Sequence, residues 1–473
     1  MKQDFKRTTN AAAYQAFGDL QRSLGFPGPA EGQLSITGAD PVFPNPFRLG
    51  TACAAALAAV GHGVSRLVEL RGGAAQSISV DSRDAAAAMR GILYFRLNGE
   101  KAPEHRDPVA GFYPVRGGRW IYFHCYFPAH RDAALKVLGA TNREEALVRS
   151  ASWDGEALEE AIHQAGGVAG LVRTREEWLR HPQSAAVRAE PLLEITKIGE
   201  APPEPLPPRL RALAGVRVLD LTRVLAGPVC TRTLAEHGAD VLRITGAHLP
   251  HLGSLEFDYG AGKLSANLDL RLPEESRRLE ELVRSGDVFC QSYRPGSLER
   301  RGFGPSRLAA LRPGLVYVML DAFGFNGPWS DRRGYDSVVT TVNGMIDAMG
   351  SSDHPPVLMP AQPMDYGTGY LLAYGTMVAL ARRAVEGGSW MVRTSLARVG
   401  EWIYDMGTFD PAALRGVPAE LDPAEIEGLT AEYDTSIGRI RHVKPMVHLS
   451  ATPAFLSRPS VAMGTHAPAW PSR

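Results

Sequence analysis

Beyond residue 210 the apolar positions come in short runs separated by segments of helical period. Residues 216–221 (VRVLDL), 241–244 (VLRI), 287–292 (DVFCQS) and 315–320 (LVYVML) read as buried strands, and 264–270 as another. Between them, 229–237 reads as a helix stopped by Gly238. PEESRRLEELVRSG opens on Pro273 and closes on Gly286, and 305–311 is again helical. Strands alternating with helices through short loops predict an α/β fold with a doubly wound parallel sheet. Its ligand would lie outside the carboxyl ends of the strands.

Upstream, residues 111–127 (GFYPVRGGRWIYFHCYF) predict a hairpin with a Gly-Gly turn, followed by helical patterns at 131–138 and 153–166. This is a small α+β domain over 111–200. APPEPLPPRL at 201–210 predicts an extended linker, because proline fixes φ and removes donors. The other expected divisions are an N-terminal extension (1–40), a helix–strand segment (41–110), the α/β domain (211–400) and a C-terminal segment (401–473). Residues 50–81 and 367–396 also resemble each other. Each runs Gly-Thr, an apolar helix, Gly-Gly and an alternating strand.

The 473 residues carry 51 basic and 51 acidic side chains, so a nucleic-acid or polybasic membrane partner is not expected. Cys53, Cys125, Cys230 and Cys290 are too scattered for a disulfide framework or a zinc site. The first twenty residues show no hydrophobic signal core, and the apolar stretch 367–381 is too short to span a bilayer. A cytoplasmic protein is expected.

The first βα loop, residues 224–228 (VLAGP), is neither a dinucleotide fingerprint nor a phosphate-binding Gly-Lys-Ser/Thr loop. His248 and His251 sit beside Pro250 without a third ligand nearby, so no metal is expected. Asp365, in MDYGTG, stands where the helix of 367–381 begins. One reading is a helix N-cap. The other is a nucleophilic carboxylate kept ionised by the helix dipole, with Gly367 and Gly369 letting a bulky substrate approach.

The run LAGVRVLDLTRVLAGPVCTRTLAEHGADVLRI, then Gly262-Lys263, SGDVFCQSYRPGSLERRGFG, LRPGLVYVMLDAFGFNGPWSDRRGYDSV and PMDYGTGYLLAYGTMVALARR, resembles the class III CoA-transferases over residues 213–395. That group contains formyl-CoA transferase, carnitine CoA-transferase and α-methylacyl-CoA racemase. Residues 50–81 resemble the part that follows the family's catalytic aspartate, with Arg48 where the aspartate would stand. Residues 111–198 resemble its small domain, which here precedes the CoA-binding domain instead of following it.

The resemblance implies an enzyme that moves CoA from an acyl-CoA to a small carboxylic acid through an aspartyl-CoA intermediate on Asp365. Asp336 and Tyr335 would assist. Val224, Leu225 and Ala226 would lie along CoA, and Lys263, Tyr293 and Arg300 would stand near its nucleotide. CoA would be a co-substrate, with no tightly bound cofactor, and the assembly a homodimer. The alternatives are an acyl-CoA racemase or isomerase, for which Tyr335 is a poor base, and a non-catalytic CoA-binding protein.

Overall fold

The computed structural model describes residues 8–101, 106–253, 255–350 and 355–471; the first seven residues of the expected N-terminal extension lie outside it. A seven-stranded sheet organises the chain. In chain order its elements are β1 (Glu194–Gly199), β2 (Arg217–Leu221), helix α1 (Ala226–Glu236), β3 (Asp240–Thr245), β4 (Lys263–Asn267), α2 (Pro273–Arg284), β5 (Val288–Gln291), α3 (Pro305–Leu311), β6 (Val316–Asp321), α4 (Asp336–Val342), α5 (Pro363–Glu386) and β7 (Ser389–Ser395). The strand order is β4-β3-β2-β5-β6-β7-β1. All pairs are parallel except β7 with the edge strand β1.

Alternation along the strands explains why both faces are covered. Val218, Val241, Val288 and Val316 join the core that includes Val229 and Leu234 of α1 and Leu371 and Met377 of α5. Their neighbours Leu219, Leu242, Phe289 and Tyr317 face the other way, onto Leu279 and Leu282 of α2 and Leu308 of α3. The chain order reverses between the adjacent strands β2 and β5, where a parallel sheet opens a crevice at its carboxyl edge.

The small α+β unit has the expected hairpin, Gly111–Val115 with Arg119–Phe123, turning through Gly117 and Gly118 at positive φ. Ala169–Leu171 adds a third strand, and the unit has its own core around Tyr113, Phe123 and Leu158.

Three expectations are corrected. Residues 194–199 leave the small unit and pair with Ser389–Ser395 in the large sheet. The proline-rich segment is extended but anchored, since Arg71 donates to the carbonyls of Pro207, Ala212 and Ala214. Residues 41–110 form no separate unit. Their helix Leu49–Leu70 packs against α5, with a Cβ placed on Gly63 only 3.1 Å from Met377, and shares its core.

Leu49–Leu70, not 367–381, is the helix among the described residues long and apolar enough to cross a bilayer, and 94% of its most apolar window is buried. The C-terminal segment ties the parts together. His448–Leu449 pairs with Ile78–Asp81, and Gly262 and Ser265 bond to the stretch 458–466 at the β4 edge.

Candidate active site

The site forms where α1, α4 and α5 begin. Asp220, near the end of β2, is fully buried and accepts from Thr222, from Thr231 Oγ1 and from Lys263 Nζ, which clamps the strand to the following helix. The loop it anchors holds Val224 at φ 68°, a strained conformation for a β-branched residue, in the wall of a cleft. Helix α1 starts after Leu225 without a side-chain cap. The free N–H of its first residue, Ala226, donates to the Asp365 carboxylate.

Asp365 is the third residue of α5, not its cap. The capping role belongs to Asp336, the first residue of α4. Its Oδ2 accepts from the N–H groups of Met364 at 2.8 Å and Asp365 at 3.2 Å, so a carboxylate from one helix caps the next. This overturns the expected ionisation of Asp365. Burial raises its pKa well above the ordinary carboxylate value, the Asp336 charge raises it further, and only the Ala226 N–H opposes. Burial likewise pushes Asp336 up to about 7 against its two backbone donors. The pair titrates as a unit and retains a proton into the neutral range.

The glycines also serve another purpose than expected. A Cβ on Gly369 would meet Val229 at 2.6 Å, and one on Gly367 would meet Val399 at 3.0 Å. They let α5 close on α1 and on the helix Leu396–Asp405.

Tyr335, which precedes α4, is stacked on His124 of the small unit with ring centroids 3.8 Å apart. Burial pushes its hydroxyl up to about 12, so it does not exchange protons near neutrality.

The cleft of about 320 Å³ is lined by Asp365, Tyr335, Tyr293, residues 224–226 and 320–322, Phe127 and Leu396. Arg223, Arg294, Arg332 and Arg333 stand at its wall. Arg332 pairs with Glu160 and Arg333 donates to the carbonyl of Gly166. A second hollow of about 170 Å³ shares Tyr293 and Ser297 with the first and continues past Ile244, Gly246 and Leu268.

Two expected residues are not in the cleft. Lys263 is 2% exposed, and its ammonium is used by Asp220, Pro228 and Thr231. Its side chain points under the sheet edge, because position 263 is the first residue of β4 rather than part of a surface loop. Arg300 is exposed on the short turn Glu299–Arg301, and its neighbour Arg301 lines the second hollow instead. His248 and His251 face different carboxylates, Asp269 and Glu256, at 3.4 and 3.8 Å.

Sequence reading missed Arg223, Arg294 and Asp321. Arg223 directly precedes the 224–226 loop, which was a usable signal. His124 and Phe127 lie more than two hundred residues before Tyr335 and Asp365 and left no signal.

Asp336→Ala should lower activity by about tenfold or more, since two buried N–H groups at the start of α5 lose their acceptor. Asp336→Asn keeps an acceptor and should preserve the fold. It also removes the like charge that raises Asp365, so the acid limb of the rate–pH profile should move to lower pH. Steady-state rates of both variants across pH 5–9 check this.

Residues 213–440 match the family described as CoA-transferase family III. The chain is 35% identical to the acetyl-coenzyme A transferase of Hypoxylon pulicicidum, over 42% of this chain and 35% of that protein. It is 34% identical to a formyl-CoA:oxalate CoA-transferase of Rhodopseudomonas palustris, over 39% of this chain and 46% of that one. A hypothetical protein of Mycobacterium tuberculosis, known from a crystal structure, is 30% identical over 41% of this chain and 57% of its own, with a TM-score of 0.39. The chain spans less than half the length of these two curated relatives.

Proposed function

We propose that this chain, a member of the class III CoA-transferase family through residues 213–440, moves CoA from an acyl-CoA to a carboxylic acid through Asp365. The observation that carries the reading is the carboxyl of Asp365 in the cleft wall with a helix-terminal N–H directed at it.

In this reading the ionised carboxylate attacks the thioester carbonyl, the C–S bond breaks, and a mixed anhydride and CoA thiolate result. The thiolate then attacks the aspartyl carbonyl, the acyl group leaves as its carboxylate, and aspartyl-CoA remains. The acceptor carboxylate attacks that thioester and expels the thiolate again. The thiolate takes the acceptor's acyl group and frees Asp365. The Ala226 N–H stabilises the oxyanion formed at the aspartyl carbonyl in the two middle steps, when the thiolate attacks the anhydride and the acceptor attacks aspartyl-CoA. Burial of Asp365 excludes water, the competing acceptor.

CoA would run from Asp365 along residues 224–226 to Tyr293, with its nucleotide in the second hollow and its phosphates near Arg223 and Arg294. That gives these arginines the place near the nucleotide that the resemblance implied for Lys263 and Arg300. The fold is read as a doubly wound CoA-binding domain preceded in the chain by its small domain. The whole is read as a cytoplasmic homodimer acting on acyl-CoA and small acids, without a nucleic-acid, membrane or tightly bound cofactor partner. Tyr335, raised to about 12, weighs against the two-base racemase.

The test is exchange. The protein, an acyl-CoA and a panel of acids should yield the CoA ester of the acceptor, and CoA binding without exchange would contradict the reading. The pH dependence has a defined sign. Asp365 must be ionised to attack, and burial and the Asp336 charge raise its pKa well above the ordinary carboxylate value, so the rate should fall as pH drops from the alkaline side into the mildly acidic range. A rate that is flat from pH 5 to 8 would contradict the raised pair.

A further inference from the structure

The cleft contains a buried carboxyl that transfer on Asp365 does not use. Asp321 ends β6, is 6% exposed and lines the same cleft. Its Oδ1 accepts the Phe323 N–H at 3.0 Å. Among the described residues no cation is ion-paired with it, although Arg332 and Arg333 line the same cleft.

Strand order gives Asp321 its place. The second hollow follows β2, β3 and β4, and reaches the cleft at Tyr293, just past β5. Asp321 ends β6 and Leu396 follows β7, on the opposite side. A thioester lying from that hollow to Asp365 would therefore have its acyl end, and any acid replacing it, toward Asp321.

We propose that Asp321 is a specificity residue of the cleft, donating a hydrogen bond from its carboxyl group to the carboxylate of the acceptor acid and so favouring an acid over water. This rests on the reading above that an acid enters the cleft. Burial pushes the Asp321 pKa up to about 8, and Glu190 and Asp331 add to the rise against the N–H groups of Phe323 and Ala322. At neutral pH the carboxyl therefore retains its proton, and a hydrogen bond from a carboxyl to a carboxylate is short and strong. The other charged groups lining the cleft, among the described residues, are Arg223 and Arg294 on the facing loops, Arg332 and Arg333 before α4 and Asp365 on α5, with Asp336 behind Asp365.

Calorimetric titration of the full chain with succinate and with acetate, in the presence of CoA, at pH 6.5 and pH 9, tests this. Wild type should bind at least about tenfold more weakly at the higher pH, where Asp321 becomes a like charge. Asp321→Asn keeps a donor that does not titrate. It should bind at both pH values with only the pH dependence contributed by the Asp336–Asp365 pair. Asp321→Ala should bind about tenfold more weakly than wild type at the lower pH.

Wild type and Asp321→Asn weakening in parallel overturns the proposal. So does an Asp321→Ala variant that binds like wild type, or a wild type that binds neither acid. If Asp321→Ala does not fold, the wild-type and Asn comparison decides alone. Binding is read without turnover, so covalent loading of Asp365 by acyl-CoA, measured separately, succeeds or fails on its own.

Discussion

Asp365→Asn should lower CoA transfer by at least about a thousandfold, equivalent to about 4 kcal/mol of lost transition-state stabilisation. The amide fills the same space and accepts the same Ala226 N–H, but it cannot form the anhydride. CoA affinity should stay near wild type, because the hollow proposed to take the nucleotide lies past Tyr293, away from Asp365.

The same variant should also be more stable than wild type at pH 8, by a sign that can be worked out. The folded pKa of Asp365 is raised. Its contribution to stability is complete below the unfolded carboxylate value of about 4, and is lost as pH rises through the folded value. Asparagine has no such loss. The gap in thermal midpoint between variant and wild type should therefore open from pH 5 to pH 8, and activity and stability should move in opposite directions at this position.

Lys263→Met should act on stability and not on CoA. The ammonium lies 2.9 Å from Asp220 Oδ2, 3.0 Å from the Pro228 carbonyl and 2.7 Å from Thr231 Oγ1. All three donors are used inside the protein, under a strand and a helix. Removing them leaves Asp220 charged, buried and without a cation, at a cost of about 3–5 kcal/mol, or roughly 3–5 °C in thermal midpoint for a chain of this length. The folded fraction should retain CoA affinity within about threefold. Replacing Asp220 by Leu in the same chain should recover much of the loss, since an apolar pair of similar volume carries no desolvation cost. A phosphate-binding lysine would give the reverse result, weak CoA binding in a stable protein.

These two positions mark how far sequence alone reaches. Helices α2 and α3 were legible to within a residue or two, because Pro273 and Pro305 sit at their first positions and the helical period breaks where they end. The core strands were legible because each carries a short apolar run between turn residues, clearest in VFC of β5 and VYVML of β6. Strand β1 (EITKIG) was not legible, since as a half-buried edge strand it needs little apolar patterning.

Asp365 was found through its position before an apolar helix, but the reason given for its ionisation was wrong. The donors at that helix start are taken by Asp336, 29 residues earlier in the chain, and no local pattern reports that pairing. The face of Tyr335 is likewise covered by His124, a contact that only docking of the small unit creates. Gly369 was visible as a glycine, but its purpose depends on where Val229 lies across the helix pair.

The central claim is that Asp365 takes CoA covalently. Its most direct test is the intact mass of the protein after incubation with acetyl-CoA and, in parallel, a set of longer acyl-CoAs, with Asp365→Asn beside it. The account predicts a CoA-sized increase that hydroxylamine removes, that maps to the peptide bearing Asp365, and that is absent from the variant. An adduct of the same mass on Asp365→Asn would contradict it. So would a wild-type protein that binds CoA and stays unmodified by every donor.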